Sequence, residues 1–340
     1  MSHPRYLIFG LGAAGASACA SLIDDSAEIV GAFTRSSHVG EDLGKVVGRV
    51  PCGLAVSPVS DFTATRGMAD VALFFTTTAL TDLLGPAKEC LAAGINVLTI
   101  GEDALYPWDY DPVTAAELDA AGKAGGATLL GTGINDVVMA RLPVLLAGLV
   151  HGAERIEIEC AGDFGAFGPE LLRILQIGVR PEEYHPAAHE GQDVISRQCA
   201  RMIAGLAGLQ VVSEDVRLEP TVASVPLPVP ALDLVLEPGL VTGSVETAAL
   251  ATSEGVQIEV RLIGKVFEPG EEEYAVATVH VPSLAEPVSL RVSPLPGIEA
   301  TAGIALSRIP DVLAAPPGFP RAEELPNLRF RSLKPADPAS

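Results

Sequence analysis

Arg5-Tyr6-Leu7-Ile8-Phe9-Gly10-Leu11-Gly12-Ala13-Ala14-Gly15 is an apolar strand that runs straight into a G-x-G-x-x-G-like turn. Gly10 suits a tight exit from the strand, Gly12 lets a backbone approach a phosphate with no side chain between, and Gly15 lets the following helix pack closely. The N-terminus of that helix, residues 13–23, offers free N–H groups and the positive end of its dipole to an anion. A second apolar strand at 28–34 follows, so the stretch reads as the first βαβ unit of a dinucleotide-binding sheet. The run 6–23 is also long enough for a membrane span. Its Gly, Ala, Ser and Cys content, the single Arg5 before it and two internal glycines favour the soluble reading.

Composition narrows the classes. The chain has 340 residues, of which 48% are hydrophobic, enough for two domains with substantial cores. A formal net charge of −21 argues against nucleic acid or an anionic membrane as partner. The cysteines, Cys19, Cys52, Cys90, Cys160 and Cys199, are scattered and form no C-x-x-C pair, which indicates neither a disulfide framework nor a zinc site. A reducing cytoplasm fits that usage.

Beyond the first unit, strands are expected at 71–75, 96–100 and 128–131, with helices at 80–93 and 112–123 between them. This is the grammar of an α/β Rossmann domain, a doubly wound parallel sheet whose ligands bind beyond the carboxyl ends of its strands. Three loops leave those ends: Thr76-Thr77-Thr78, Gly101-Glu102-Asp103 and Gly131-Thr132-Gly133-Ile134-Asn135. After Asn135 the pattern changes. A helix at 137–149 precedes long segments at 153–161, 211–218, 240–250, 256–266, 274–281 and 288–292, and the run Val256-Gln257-Ile258-Glu259-Val260-Arg261-Leu262 alternates cleanly. These read as a largely antiparallel sheet with helices at 170–177 and 194–206. The expected division is a dinucleotide-binding domain over 1–135 and an α+β second domain over 136–298. A segment from about 299, beginning with a helix at 299–308, packs back on the first domain.

Glu102 follows a strand of the nucleotide-binding sheet and precedes Tyr106, Trp108 (the only tryptophan) and Tyr110. A carboxylate desolvated among aromatics is raised toward the range useful for acid–base work. The competing reading makes Asp103 or Asp109 a helix cap and leaves Glu102 solvated. His185 and His189 stand four apart, but Pro181 and Pro186 interrupt the region and no cysteine is near, so no metal is expected. Phe164 and Phe167 form a glycine-hinged pair that either anchors a loop or, with Met139, walls an apolar substrate.

The glycine turn, the threonine loop, Gly101-Glu102 with Leu105-Tyr106-Pro107-Trp108, and Gly131-Thr132-Gly133-Ile134-Asn135 together resemble the 2,4-diaminopentanoate dehydrogenase family. That family lies in the dihydrodipicolinate-reductase-like group and includes native amine dehydrogenases. The likeness continues in Ala188-His189-Glu190-Gly191, Glu299-Ala300-Thr301-Ala302, Ile309-Pro310 and Ala315-Pro316-Pro317-Gly318. It implies reductive amination of a small ketone or aldehyde by ammonia with a reduced nicotinamide cofactor. Glu102 matches the family's catalytic carboxylate and His189 a substrate-pocket turn. The expected cofactor residues are Gly10, Gly12, Ala13, Ala14, Gly15, Thr34, Arg35, Ser36, Thr76, Thr77, Thr78, Gly101 and Asn135. The expected substrate residues are Trp108, Ile134, Met139, Phe164, Phe167 and His189. Asn135 is followed by Asp136-Val137-Val138 where many relatives have Pro-Gly-Phe, so the reaction carries over more readily than the diamino-acid substrate.

No acidic residue follows the second strand until Glu41, and Arg35 can fork onto a 2′-phosphate. NADP(H) is therefore the expected cofactor, with NAD(H) second. The alternatives are a dihydrodipicolinate-reductase-like imine or enamine reductase, whose His-His and Lys-x-Asp-x-Pro-Ser-Gly-Thr signatures are missing, and a non-catalytic nucleotide-binding homologue. The alternating second-domain strands expose more β surface than one covering layer buries, which leads to the expectation of a homodimer.

Overall fold

The computed structural model describes residues 4–76, 79–165, 167–185 and 194–330. The chain divides into two units: residues 1–133 with 298–340, and residues 134–297.

In the first unit, β1 (Arg5–Phe9), α1 (Ala13–Asp24), β2 (Glu28–Thr34), α2 (Leu43–Val46), β3 (Ser57–Pro58), β4 (Val71–Phe74), α3 (Leu80–Ala92), β5 (Asn96–Thr99), α4 (Pro112–Gly125) and β6 (Leu129–Gly131) follow in order. Among the described residues six strands form one sheet in the order β3-β2-β1-β4-β5-β6, all pairs parallel. The order reverses between β1 and β4, the place where doubly wound sheets bind their ligands. β1 shows why both faces are buried. Tyr6 and Ile8 enter the core under α1 and the closing helix (Gly297–Ala314), whereas Leu7 and Phe9 enter the one under α3 and α4. Phe9 stacks on Phe74 at 4.2 Å and meets Phe62 edge-on at 4.8 Å.

The expected helix at 299–308 runs from Gly297 to Ala314, through Pro310. A proline removes one helical hydrogen bond. Here the loss is bridged by burial of Ile309 and Val312 and by the fully buried Arg308, which donates to Asp311 at 3.1 Å and to the Pro326 carbonyl at 2.7 Å.

The second unit contains α5 (Leu142–Ala147), β7 (Arg155–Asp163), α6 (Pro169–Ile174), α7 (Ile195–Ala207), β8 (Val211–Val222), β9 (Leu227–Val229), β10 (Leu234–Leu236), β11 (Val241–Thr252), β12 (Gln257–Lys265), β13 (Tyr274–His280) and β14 (Val288–Val292). Its main sheet has the order β14-β13-β7-β12-β11-β8, antiparallel except for the parallel pair β7–β12. The register puts Ile158, Val260, Ala248 and Ala277 on the face covered by α5 and α7. The opposite face carries a network of charges. Arg155 pairs with Glu157 and Glu259, His280 with Glu157, and Arg261 with Glu159, which also accepts from the Tyr274 hydroxyl at 2.6 Å.

The helix expected at 137–149 is instead a π-helix over Asn135–Arg141 followed by α5. The Leu142 N–H donates to the carbonyl of Val137, five residues back. Pro143 explains the wide turn, because it has no N–H to give the carbonyl of residue 139 and its ring crowds that carbonyl in an α-helix. The β9–β10 hairpin was not expected either. With α6 it encloses Leu172, Ile177, Val229, Leu236 and Val266 in a separate small core.

Candidate active site

The three glycines of the first turn differ in what surrounds them. Gly10 sits at φ +91°, and a Cβ there would run into the Phe75 carbonyl oxygen. A Cβ on Gly15 would run into the Gly10 carbonyl. Gly12 is at an ordinary φ of −67° and ψ of −173°, exposed, and an added Cβ would meet nothing within 4 Å. Neither backbone conformation nor packing within the chain demands glycine at that position. Gly12 is also the N-cap of α1, with no side-chain cap, and the first turn holds no acidic residue. Ala13 is exposed and Ala14 half-buried beside it. An uncapped helix start behind an uncrowded glycine fits a dinucleotide's pyrophosphate.

Neighbouring strand ends complete this edge. Thr76 is exposed just after β4, and its Cγ2 would lie 2.9 Å from a Cβ on Gly10. Thr34 ends β2 buried, its hydroxyl donating to the Ser37 carbonyl, so it shapes the turn and leaves Arg35 and Ser36 exposed at the strand's tip. The remaining two threonines of the loop, Thr77 and Thr78, lie outside the described residues, as do His189 and its turn.

Glu102 starts a 3-10 turn (Glu102–Ala104) directly after β5. Gly101, buried ahead of it, donates its N–H to the Thr99 hydroxyl at 2.9 Å, and the Ala104 N–H returns to the Gly101 carbonyl at 3.0 Å. The turn lies flat on the end of β6, where a Cβ on Gly131 would run into the Ala104 carbonyl. Glu102 is half-buried, with the buried Asp103 next to it. The aromatic residues expected to shield it are engaged with one another and with the chain's later part. Tyr106 and Trp108 meet edge-on at 5.5 Å, Trp108 lies 4.9 Å from Phe319, and the Arg321 guanidinium stands 5.1 Å over the Trp108 ring. Burial, with Glu323 nearby, keeps the Tyr106 phenol above its ordinary value despite the opposing pull of Arg321.

In the second unit, Ile134 is the N-cap of the π-helix and Asn135 its first residue, both half-buried. The Asn135 carbonyl accepts from the Cys199 thiol of α7 at 3.8 Å. Met139, expected in an apolar wall for the substrate, is fully buried. Phe164 and Phe167 pack together at 4.9 Å against the small core of α6 and the hairpin. Phe164 covers Gly264, where a Cβ would run into its ring. The pair thus anchors its loop, the alternative left open by the sequence.

Sequence reasoning missed three features. Asp136 and Arg141 form a buried ion pair at 2.6 Å, with side chains 2% and 3% exposed. Their five-residue separation equals the i→i+5 hydrogen-bond spacing of a π-helix, and two charges bracketing an apolar Val-Val-Met-Ala run are the available signal. Phe319 and Arg321 reach the Glu102 loop from over two hundred positions away, with no local signal at all. The buried Ser196 hydroxyl has no hydrogen-bond partner among the described residues, and the buried Tyr184 hydroxyl lies beside Ser244. The Ser196 N–H donates to Glu246 at 3.2 Å. No cluster of three or more metal-ligating side chains occurs among the described residues, and no helix there is long and apolar enough to cross a membrane.

A sequence-family profile for the 2,4-diaminopentanoate dehydrogenase C-terminal domain matches residues 137–332. The chain is 29% identical over 197 residues to 2,4-diaminopentanoate dehydrogenase of Acetoanaerobium sticklandii, a match over 56% of this chain and 55% of that protein. The match therefore spans about half the length of this curated relative. An amine dehydrogenase from Mycobacterium smegmatis superposes with a TM-score of 0.89 at 31% identity, covering 98% of each chain. A probable dehydrogenase from Thermotoga maritima shares the fold, at TM-score 0.57 and 14% identity over 94% of this chain and 92% of that one.

Proposed function

The chain belongs to the 2,4-diaminopentanoate dehydrogenase family, and from that premise we propose that it is an NAD(P)H-dependent amine dehydrogenase. It joins ammonia to a small ketone or aldehyde, and in reverse deaminates the amine. The observation that carries this reading is the placement of Glu102: a half-buried carboxylate at the carboxyl end of β5, one strand from the β1–β4 switch point, on a turn pressed against Gly131.

The chemistry asks little else of the protein. Ammonia attacks the carbonyl carbon, and a Glu102 carboxylate oxygen takes a proton from the attacking nitrogen. It passes that proton to the carbonyl oxygen, which becomes a hydroxyl; a second proton, taken up from ammonium or solvent by the same carboxyl, lets that hydroxyl leave as water, and an iminium remains. The carboxylate, again ionised, then stands beside the iminium cation and lowers the cost of forming it. A reduced nicotinamide, when bound, supplies the hydride that turns the iminium into the amine. Gly12 with Ala13, Ala14 and Gly15 would hold the pyrophosphate, and Arg35 with Ser36 the ribose 2′-phosphate, which favours NADP(H).

The test is a rate assay over a panel of carbonyl compounds with ammonia and each reduced cofactor. Oxidation of the cofactor should require ammonia and carbonyl together. NADPH should serve better than NADH, and a tenfold preference for NADH would overturn the role given to Arg35. Glu102→Gln keeps the shape and removes proton exchange, so kcat should fall by about 10²–10⁴ with cofactor affinity held. Parental turnover in that variant would refute the mechanism.

The charged open face of the second unit's sheet further supports a homodimer built on it. Light scattering of a dilute sample at monomer mass would remove that part of the reading.

A further inference from the structure

Beyond the closing helix the chain returns to the edge of the first unit's sheet. Gly318 donates its N–H to the Ala127 carbonyl at 2.9 Å and accepts from the Leu129 N–H at 2.8 Å, a parallel bridge beside β6. Its φ of +126° and the bare Cα of Gly122 beneath it allow that approach. Phe319 then donates its N–H to Asp119 at 3.0 Å and sets its ring against Trp108. Arg321 completes the contact. Its guanidinium lies over both Trp108 and Tyr106, at 5.1 and 5.9 Å, and donates to the Tyr106 hydroxyl at 3.4 Å.

Covering two rings needs only an apolar side chain. A planar cation with a directed hydrogen bond also fixes how the rings are turned. The loop carrying those rings begins at Glu102. It is held from below where Ala104 meets Gly131, and at its far end by Arg321 on Tyr106 and Trp108. We propose that Arg321 is a positioning residue for Glu102: by locking Tyr106 and Trp108 it sets the direction in which the turn presents the carboxylate. Arg321 touches no reacting atom. The proposal rests on the reading of Glu102 as the acid–base group, and its leverage comes from geometry, since a misplacement of about 1 Å costs up to ~10²-fold in rate.

Trp108 is the only tryptophan, so its fluorescence reports this contact without any turnover. In Arg321→Ala the emission should move to the red and become more easily quenched by acrylamide. At the same time kcat for amination should fall about tenfold, its pH profile should shift, and cofactor affinity should stay within twofold. Arg321→Lys keeps a cation over the rings but loses the planar fork, and should recover only part of the rate. If Arg321→Ala does not fold, Arg321→Met removes the charge, keeps the rings covered, and carries the same expectations for kcat and pH profile. Unchanged emission in Arg321→Ala, or parental kcat and pH profile in either variant, overturns the proposal. An equal loss of cofactor affinity and kcat also overturns it, because the role is then structural. A fully active parent beside an unaffected variant defeats this proposal alone. A parent that binds no reduced cofactor and turns over no carbonyl defeats the dehydrogenase reading and this proposal with it.

Discussion

The two units hold their functional backbone in opposite ways. In the first, backbone lies directly on backbone: Gly15 on the Gly10 carbonyl and Gly131 on the Ala104 carbonyl, with no room for a methyl group at either seam. In the second, the turn that begins at Asn135 is held by a buried pair of full charges, Asp136 and Arg141. The first arrangement fails by addition and the second by subtraction. Substitutions usually called conservative therefore differ sharply in cost between the two.

The largest loss expected from breaking this contrast is Asp136→Asn. It removes the carboxylate charge that faces the buried Arg141 guanidinium, and removing one partner of a buried pair typically costs about 3–5 kcal/mol. Chemical denaturation should show that loss, whereas replacing both residues with apolar ones of similar volume should recover much of it. Gly131→Ala comes next. Its methyl group can be accommodated only if the Glu102 turn moves, for about 1–3 kcal/mol together with slower turnover. Unchanged stability in that variant would show that the seam is looser than described.

Gly12→Ala sharpens the comparison because the same substitution, three residues from a closed seam, meets open space. Stability should stay within about 0.5 kcal/mol while titration calorimetry shows weaker binding of the reduced cofactor. Loss of stability with unchanged binding would remove the case for a phosphate at that glycine. The smallest effect belongs to the charged face of the second unit. Burial works to raise the Glu159 carboxyl, but the Tyr274 hydroxyl and the Arg261 guanidinium outweigh it and hold the group below its ordinary value. A carboxylate lowered on folding contributes stability that is complete above its unfolded value, about 4.3. That contribution drains away as acid titrates through the folded value. Thermal melts from pH 6 downward should therefore fall less steeply below pH 4.3 in Glu159→Gln than in the parent.

What the sequence made legible follows from how local each cause is. The glycine turn, the apolar strands β1, β4 and β5 and the alternating β12 announce themselves within a few residues, because burial on one or two faces writes its own period. The Glu102 turn was readable for the same reason, standing directly after a buried strand. β3 and β9 were not, since Ser57–Pro58 and Leu227–Val229 are short and each contains a proline that suits an edge. The closing helix was cut short at Arg308 because Pro310 argues locally for an end, and only the tertiary burial of Ile309 and Val312 carries it further. The wide turn at Asn135 likewise depends on a proline eight residues on. Aromatics near a carboxylate suggest a shield, but that Trp108 also packs on Phe319 and both rings lie under Arg321 is legible in no window of sequence.

The return of the chain at Gly318 also sets a clock on the ribosome. β6 and the Glu102 turn are synthesised early, but the bridge to Gly318 and the arginine over Trp108 come about two hundred residues later. At about 5–20 residues per second that interval lasts roughly 10–40 s. During it the β6 edge stands open to stray pairing and the Glu102 loop lacks its final clasp. A chain interrupted before Arg321 would hold nearly all of its sheet and still be an incomplete enzyme.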